Sequence, residues 1–316
     1  MTKRNTSVFF FLIASIVFII CIIWYFRKIE QFETVFPEGF NLENLIEYVG
    51  LEYLYDKKSK YQNISVVQIN PNQYGYDKCL ILNEEIQLCT NDEKMYHEFI
   101  VHFPASYLKS IKNVLLVGGG DLMSLREVMK YNVNRVDMLE LDEKVIDVSL
   151  KYFKESNISR YKNDSRVTIH IGDAFKTIKK LPDFRYDLVI IDVTEDSTTN
   201  SPVESSAFFK LCKTKMTKEG VLVKNGYIVD NMPLSIRTRK QKIMNDLKMN
   251  FSKVGIFKVG IPTYEDTNEY KFIMCSEKYG IDDKSQNIEL KKISKSLEEY
   301  DVDKHKSYIT KDYYGE

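Results

Sequence analysis

The stretch "NVLLVGGGDLMSLREV", Asn113 to Val128, decides the fold. An apolar run, Val114 to Val117, leads straight into Gly118, Gly119 and Gly120. Asp121 follows, and helical spacing begins near Ser124. Strand, glycine turn and helix in that order open a parallel sheet whose ligands sit beyond the carboxyl ends of the strands. Glycines there accept positive φ and let the backbone approach a ligand closely. The stretch is not the GxGxxG of a diphosphate site, and a carboxylate at Asp121 would repel phosphate. The turn suits a ligand that carries positive charge. Leu122 and Met123 stand where a tight turn would favour small residues. They either reshape the space beyond the turn or pack at the start of the helix.

Working outward, short apolar runs alternate with helical stretches: "RVDMLELD", "EKVIDVSLKYF", "RVTIHIGD", "AFKTIKKL", "YDLVIIDV", "SAFFKLCKTKM" and "GVLVKNG". That alternation predicts an α/β domain with a parallel sheet covered on both faces. "FSKVGIFKVGI" and "YKFIMCS" add late strands, and a charged tail follows Asp282. Upstream, "ISVVQI", "KCLILN" and "IQLCT" are β-type runs broken by turn residues, which predicts a small antiparallel sheet. "DEKMYHEFIVHFPASYL" then has helical spacing, with Met95, Phe99 and His102 on one face.

The rim of the predicted parallel sheet is acidic. The second strand ends in Glu140, about twenty residues after the glycines, where an acid can bind both ribose hydroxyls of a nucleoside. The third ends in "IGDAF" with Asp173, and the fourth in "YDLVIID" with Asp192. One acid at a strand end is ordinary. Asp121, Glu140, Asp173 and Asp192 on one rim, with no basic residue in the same loops, would attract a cationic nucleoside and a cationic co-substrate. Crowding and burial would raise the pKa of one of them and suit it to act as a base.

The bulk numbers narrow the alternatives. The chain has 316 residues with 45 Lys+Arg against 45 Asp+Glu, so no basic excess argues for nucleic acid. The five cysteines form no CxxC pair and no Cys/His cluster, so no metal is expected. Cys79, Cys89 and Cys275 sit in apolar runs and are expected to pack as small hydrophobes. Ser7 to Phe26 carries no charge and is long enough to span a bilayer. It lacks the short apolar region and small-residue cleavage site of a signal peptide, so an uncleaved anchor is expected. The expected organisation is a membrane anchor at 1–28, a linker at 29–50, a small β domain at 51–105 and a Rossmann-like domain at 106–316. A single-pass membrane protein is expected, touching the membrane through residues 7–26; the basic residues on both flanks do not decide its orientation, and the soluble domain is expected on the cytosolic side.

With these residues in view, the chain resembles the spermidine/spermine synthase family of aminopropyltransferases from about Lys58 to Tyr308. "SKYQNISVV", "YGYDKCLILNEEIQLCTNDEKMYHE", "VLLVGGGDLMSLREV", "LELDEKVIDVSLKYF", "IGDAF", "YDLVIID", "IPTY" and "YDVDKHKSYI" match its motifs in order. The resemblance implies a Rossmann-like, seven-stranded, methyltransferase-type sheet behind the small β domain. It implies aminopropyl transfer from decarboxylated S-adenosylmethionine, a co-substrate needing no further cofactor, to a polyamine such as putrescine. Spermidine and methylthioadenosine are the products, and a homodimer is carried over from the family. By position, Gln62, Gly119, Asp121, Glu140, Asp173 and Ala174 would hold the nucleoside. Glu140 would take the ribose, Asp173 the adenine amino group and Asp121 the aminopropyl ammonium. Tyr96, Glu195 and Tyr264 would face the amine, and Asp192 would accept its proton.

The chain departs from the pattern on the amine side. Leu122 and Met123 replace two glycines. His97 replaces the usual glutamine, and Asn83-Glu84 replaces a turn Asp-Gly. The loop after Asp192, "DVTEDSTTNSP", is about three residues longer and carries Glu195 in place of an aspartate. Two other readings compete: a non-catalytic relative that binds nucleoside or polyamine, and an S-adenosylmethionine-dependent methyltransferase on the same scaffold. Asp121 speaks against the last, because it would face the carboxylate of that donor.

Overall fold

The computed structural model describes residues 51–69, 77–194, 201–226, 234–263 and 270–310. Two sheets organise them. The first is an antiparallel meander of β1 (Leu51–Lys58), β2 (Asn63–Ile69), β3 (Asp77–Leu82) and β4 (Glu85–Cys89). The last three are the runs read from sequence. β1 was not, because "LEYLYDKK" mixes charge into its apolar positions. The β3–β4 turn is built by Asn83 and Glu84, both with positive φ (48° and 72°), the geometry a tight hairpin demands.

The second sheet holds β5 (Asn113–Gly118), β6 (Arg135–Glu140), β7 (Val167–Ile171), β8 (Tyr186–Asp192), β9 (Met216–Lys224), β10 (Lys253–Val259), β11 (Tyr270–Ser276) and β12 (Ile309–Thr310). Their order is β12-β10-β11-β9-β8-β5-β6-β7, with β5 to β9 mutually parallel and the other three antiparallel. The sheet therefore has eight strands rather than seven. The eighth is a two-residue strand in the charged tail, where Ile309 and Thr310 pair with Phe257 and Ile256.

Strand parity explains the two cores. Val114, Leu116, Leu188 and Ile190 face one side, against α1 (Glu93–Ala105), α2 (Met123–Val128) and α3 (Glu143–Tyr152). Leu115, Val117, Val189 and Ile191 face the other, against α4 (Ser206–Lys215) and α5 (Leu234–Asn250). These strands are buried on both faces, which is why they read as unbroken apolar runs. The chain runs outward from β5 through β6 to β7, then returns to β8 on the other side of β5. The helices after β5 and β8 lie on opposite faces, so a crevice opens between those two strand ends, the place such sheets bind ligands.

Two expectations are corrected. Cys79 and Cys89 do not merely pack; they face each other across β3 and β4 and form a disulfide. Cys275 is a free buried thiol, as is Cys212. The membrane localisation is also overturned: among the described residues no helix is long and apolar enough to cross a membrane. The stretch 7–26 lies outside those residues.

The crevice is held together by main chain. Gly119 N donates to Asp192 O at 2.9 Å, and a Cβ on Gly118 would fall 2.0 Å from that same carbonyl oxygen. Gly118 also has φ +82°, while Gly172 has φ +130° but open space around its missing Cβ. Gly118→Ala should therefore lower stability by more than about 3 kcal/mol, from overlap and backbone strain together. Gly172→Ala should cost about 1–2 kcal/mol from strain alone. Denaturant unfolding of the two variants checks this; equal losses would mean that the Gly118 approach is looser than described.

Candidate active site

The site is built where α1 and α2 cross the carboxyl ends of β5 and β8. Asp192 ends β8 and faces the α1 side of the sheet. Its Oδ1 accepts from the Tyr96 hydroxyl at 2.6 Å and its Oδ2 from Ser124 Oγ at 2.6 Å. Burial first, and the Asp121 charge second, push its pKa above the ordinary carboxylate value. Tyr96, on α1, is 5% exposed and packs edge-on against Tyr270 and His97.

Asp121 lies across the crevice, its side chain 15% exposed. Its Oδ1 accepts from Met123 N at 2.7 Å and lies 3.5 Å from His97 Nε2. Burial would raise its pKa, but the His97 charge and the Met123 amide hold it below the ordinary value. His97 is itself buried, and its Nδ1 lies 3.0 Å from Glu93 Oε2. Burial would discharge the imidazole, yet Asp121 and Glu93 on either side raise its pKa to about 10. The chain continues inward. Arg126 NH1 and NH2 grip Glu93 at 2.7 and 2.9 Å, and its Nε reaches Glu127 at 2.8 Å. His102 Nε2 meets Glu127 at 2.8 Å. Against burial, His97 and Arg126 bring the Glu93 pKa down to about 2. The sequence reading found no basic partner for the acidic rim because it looked only within the rim loops. His97 comes from α1, and its position directly after Tyr96 was the available signal.

The donor atoms of His97, Asp121 and Asp192 lie within 4.8 Å of one another, a spacing that could hold a cation. A proton on the imidazole competes with a metal for its lone pair; with that proton in place, the three groups form an ion pair with a second carboxylate beside it.

The nucleoside side lies along β6 and β7. Glu140 Oε1 accepts from Asp142 N at 2.8 Å, and burial, with Asp121 and Asp142 nearby, raises its pKa to about 7. A Cβ on Gly120 would come within 2.9 Å of Glu140 Oε2, so the third glycine makes room for that carboxylate. Gln62 Nε2 donates to Asp142 Oδ2 at 3.2 Å, and Ser59 Oγ to the same oxygen at 2.6 Å, which ties the small sheet to the rim. Asp142 was missed; its side chain also caps α3 by accepting from Lys144 N. Leu141 and Ile171, 45% and 47% exposed, were also missed; they are exposed apolar side chains at the ends of β6 and β7. Asp173 sits on the same rim, but its carboxylate caps the one-turn helix Ala174–Thr177 by accepting from Phe175 N and Lys176 N. The structure thus draws Asp121, Asp192 and Glu140 together, while Asp173 is the most exposed of the set. Glu195 and Tyr264 lie outside the described residues.

Leu122 and Met123 do not enter the crevice. Both are fully buried in the main core. Leu122 adopts a left-handed φ of 68° at the start of α2, which costs an L-residue roughly 1–2 kcal/mol. Complete burial of its side chain offsets this by about 1.5–3 kcal/mol. The residue of that turn that does face the site is Ser124. His102, His170 and His305 serve inner networks, bonded to Glu127, Asp137 and Tyr300 respectively.

The chain is similar to known proteins in sequence and in fold. The spermine/spermidine synthase domain matches residues 93–285. A polyamine aminopropyltransferase from Prochlorococcus marinus (strain MIT 9215) is 32% identical over 249 residues, 78% of this chain and 83% of its own length. One from Alkaliphilus metalliredigens (strain QYMF) is 32% identical over 216 residues, 67% and 72% of the two chains. Among solved structures, spermidine synthase from Thermotoga maritima superposes with a TM-score of 0.70 at 23% identity, covering 82% of this chain and 84% of that one. A spermidine synthase in complex with the transition-state analogue AdoDATO gives 0.69 at 23% identity and the same coverage. The fold, the acidic crevice and relatives of this identity across most of both chains agree, and the chain belongs to the spermine/spermidine synthase family.

Proposed function

We propose that the protein transfers the aminopropyl group of decarboxylated S-adenosylmethionine to a polyamine such as putrescine. The observation that carries this reading is the pair of half-buried carboxylates, Asp121 and Asp192, facing each other across the β5–β8 crevice, with the buried His97 imidazolium between Asp121 and Glu93. Glu140 takes the ribose hydroxyls, with Gln62 and Gly119 closing on the nucleoside. Asp173 and Ala174 bind the adenine edge, whose faces Leu141 and Ile171 suit. Asp121 takes the aminopropyl ammonium. Tyr96, Glu195 and Tyr264 line the amine, and Asp192 is the base.

The chemistry follows from charge. A protonated amine has no lone pair to attack with. Asp192 removes its proton, and burial beside Asp121 makes that carboxylate a stronger base than an exposed one. The freed lone pair forms the N–C bond at the methylene next to the sulfonium. The C–S bond breaks with its electrons remaining on sulfur, which leaves as neutral methylthioadenosine. The donor brings its own positive charge as the driving force, and the protein contributes alignment of nitrogen and carbon at about 3–3.5 Å. Ordinary S-adenosylmethionine would set its carboxylate against Asp121 and is disfavoured.

Incubation with either sulfonium donor and a series of amines should yield methylthioadenosine from the decarboxylated donor only. Asp192→Asn should lower kcat by roughly 10²–10⁴-fold with little change in donor affinity. Release of S-adenosylhomocysteine would make the protein a methyltransferase, and donor binding without turnover would make it a non-catalytic relative. An Asp192→Asn variant at full rate would remove Asp192 from the chemistry.

Glu140 gives a pH signature. Ribose hydroxyls donate best to the ionised carboxylate, and the free site holds Glu140 protonated below about pH 7. Methylthioadenosine binding, followed by calorimetry, should be flat above that pH and weaken up to about tenfold per unit below it. An affinity independent of pH between 5.5 and 8.5 would take Glu140 away from the ribose.

A further inference from the structure

Asp192 has its two oxygens held separately. Tyr96 reaches Oδ1 from α1, and Ser124 reaches Oδ2 from the first turn of α2, each at 2.6 Å. Those lengths fall in the range of hydroxyl bonds to an ionised carboxylate. Ser124 is completely buried. Packing alone would be served as well by alanine or valine at that position, yet the hydroxyl is aimed at the carboxylate. The same turn holds the other side of the crevice, since the Met123 amide donates to Asp121. The left-handed Leu122 sets the direction in which the turn starts. One turn of helix therefore places both facing carboxylates.

We propose that Ser124 is a positioning residue for the transfer: with Tyr96 it fixes the plane of the Asp192 carboxylate and keeps the remaining lone pairs directed at the amine. The inference rests on Asp192 being the base, as assigned above. Without Ser124 the carboxylate keeps one anchor and can rotate about Cβ–Cγ, so proton acceptance loses its alignment. Both donors are neutral hydroxyls. They stabilise the anion without adding a positive charge that would repel the incoming ammonium, as an arginine or lysine there would. The charged or titratable groups facing Asp192 are Tyr96 and His97 from α1 and Asp121 from the β5 loop. Against burial and the Asp121 charge, the His97 charge first and then the Ser124 and Tyr96 hydrogen bonds favour its ionised form.

The test uses the full chain with Ser124→Ala and Ser124→Thr. Aspartate labelled with ¹³C at Cγ reports the titration of Asp192 directly, its signal assigned by loss in Asp192→Asn. Removing the serine hydroxyl should raise the Asp192 pKa by about one unit, and threonine should return it. In turnover, the acid limb of kcat should shift upward by the same amount in Ser124→Ala. Its kcat at neutral pH should fall roughly tenfold with donor KM unchanged, and threonine should restore both. An Asp192 titration that is the same in wild type and Ser124→Ala overturns the inference, as does a threonine variant that fails to restore it. A titration that moves as stated, in a protein that releases no methylthioadenosine, keeps the placement of Ser124 and sinks the assigned reaction instead.

Discussion

The site depends on one constraint: two half-buried carboxylates, Asp121 and Asp192, must share one narrow crevice. Buried charge is tolerated only when paired and hydrogen-bonded. The protein answers with alternating sign. Asp121 meets His97, His97 meets Glu93, Glu93 meets Arg126, and Arg126 meets Glu127. Each member makes its neighbour's charge affordable in low dielectric, and together they fix α1 against α2. Asp192 stands outside this series, with neutral hydroxyls for partners. The His97 charge still reaches Asp192 across the crevice, but burial and the Asp121 charge outweigh it and keep the Asp192 pKa above the ordinary carboxylate value.

Much of the fold was legible because its signals are local. Runs such as Val114–Val117 and Leu188–Ile191 are apolar without alternation, since both faces are covered, and the acids at their ends follow from the same reading. What stayed hidden depends on partners distant in sequence. His97 and Asp121 are brought together only when α1 crosses the end of β5. The pairing of Cys79 with Cys89 requires the register of β3 against β4. The eighth strand exists because Ile309 and Thr310 find the edge of β10. For Leu122 and Met123 the local sequence leaves two roles open, reshaping the ligand space or packing at the helix start, and the structure shows the packing. A left-handed backbone let leucine stand there and turn its side chain into the core.

On the opposite face of the sheet, Glu204 is held by Lys224 at 2.8 Å and by Arg239, with burial opposed by both cations so that its pKa falls to about 2. Asn225, next to Lys224, donates through Nδ2 to Val193 O at 2.8 Å. Val193 and Glu204 flank the segment that follows Asp192, and both are fastened to the end of β9.

The contact between Gly118, Gly119 and the Asp192 carbonyl has a wider implication. Because it is made by backbone atoms, the gauge of the crevice is independent of which side chains occupy the loops beyond it. Side chains in those loops can change in size or charge while the gap between the two strand ends keeps its width.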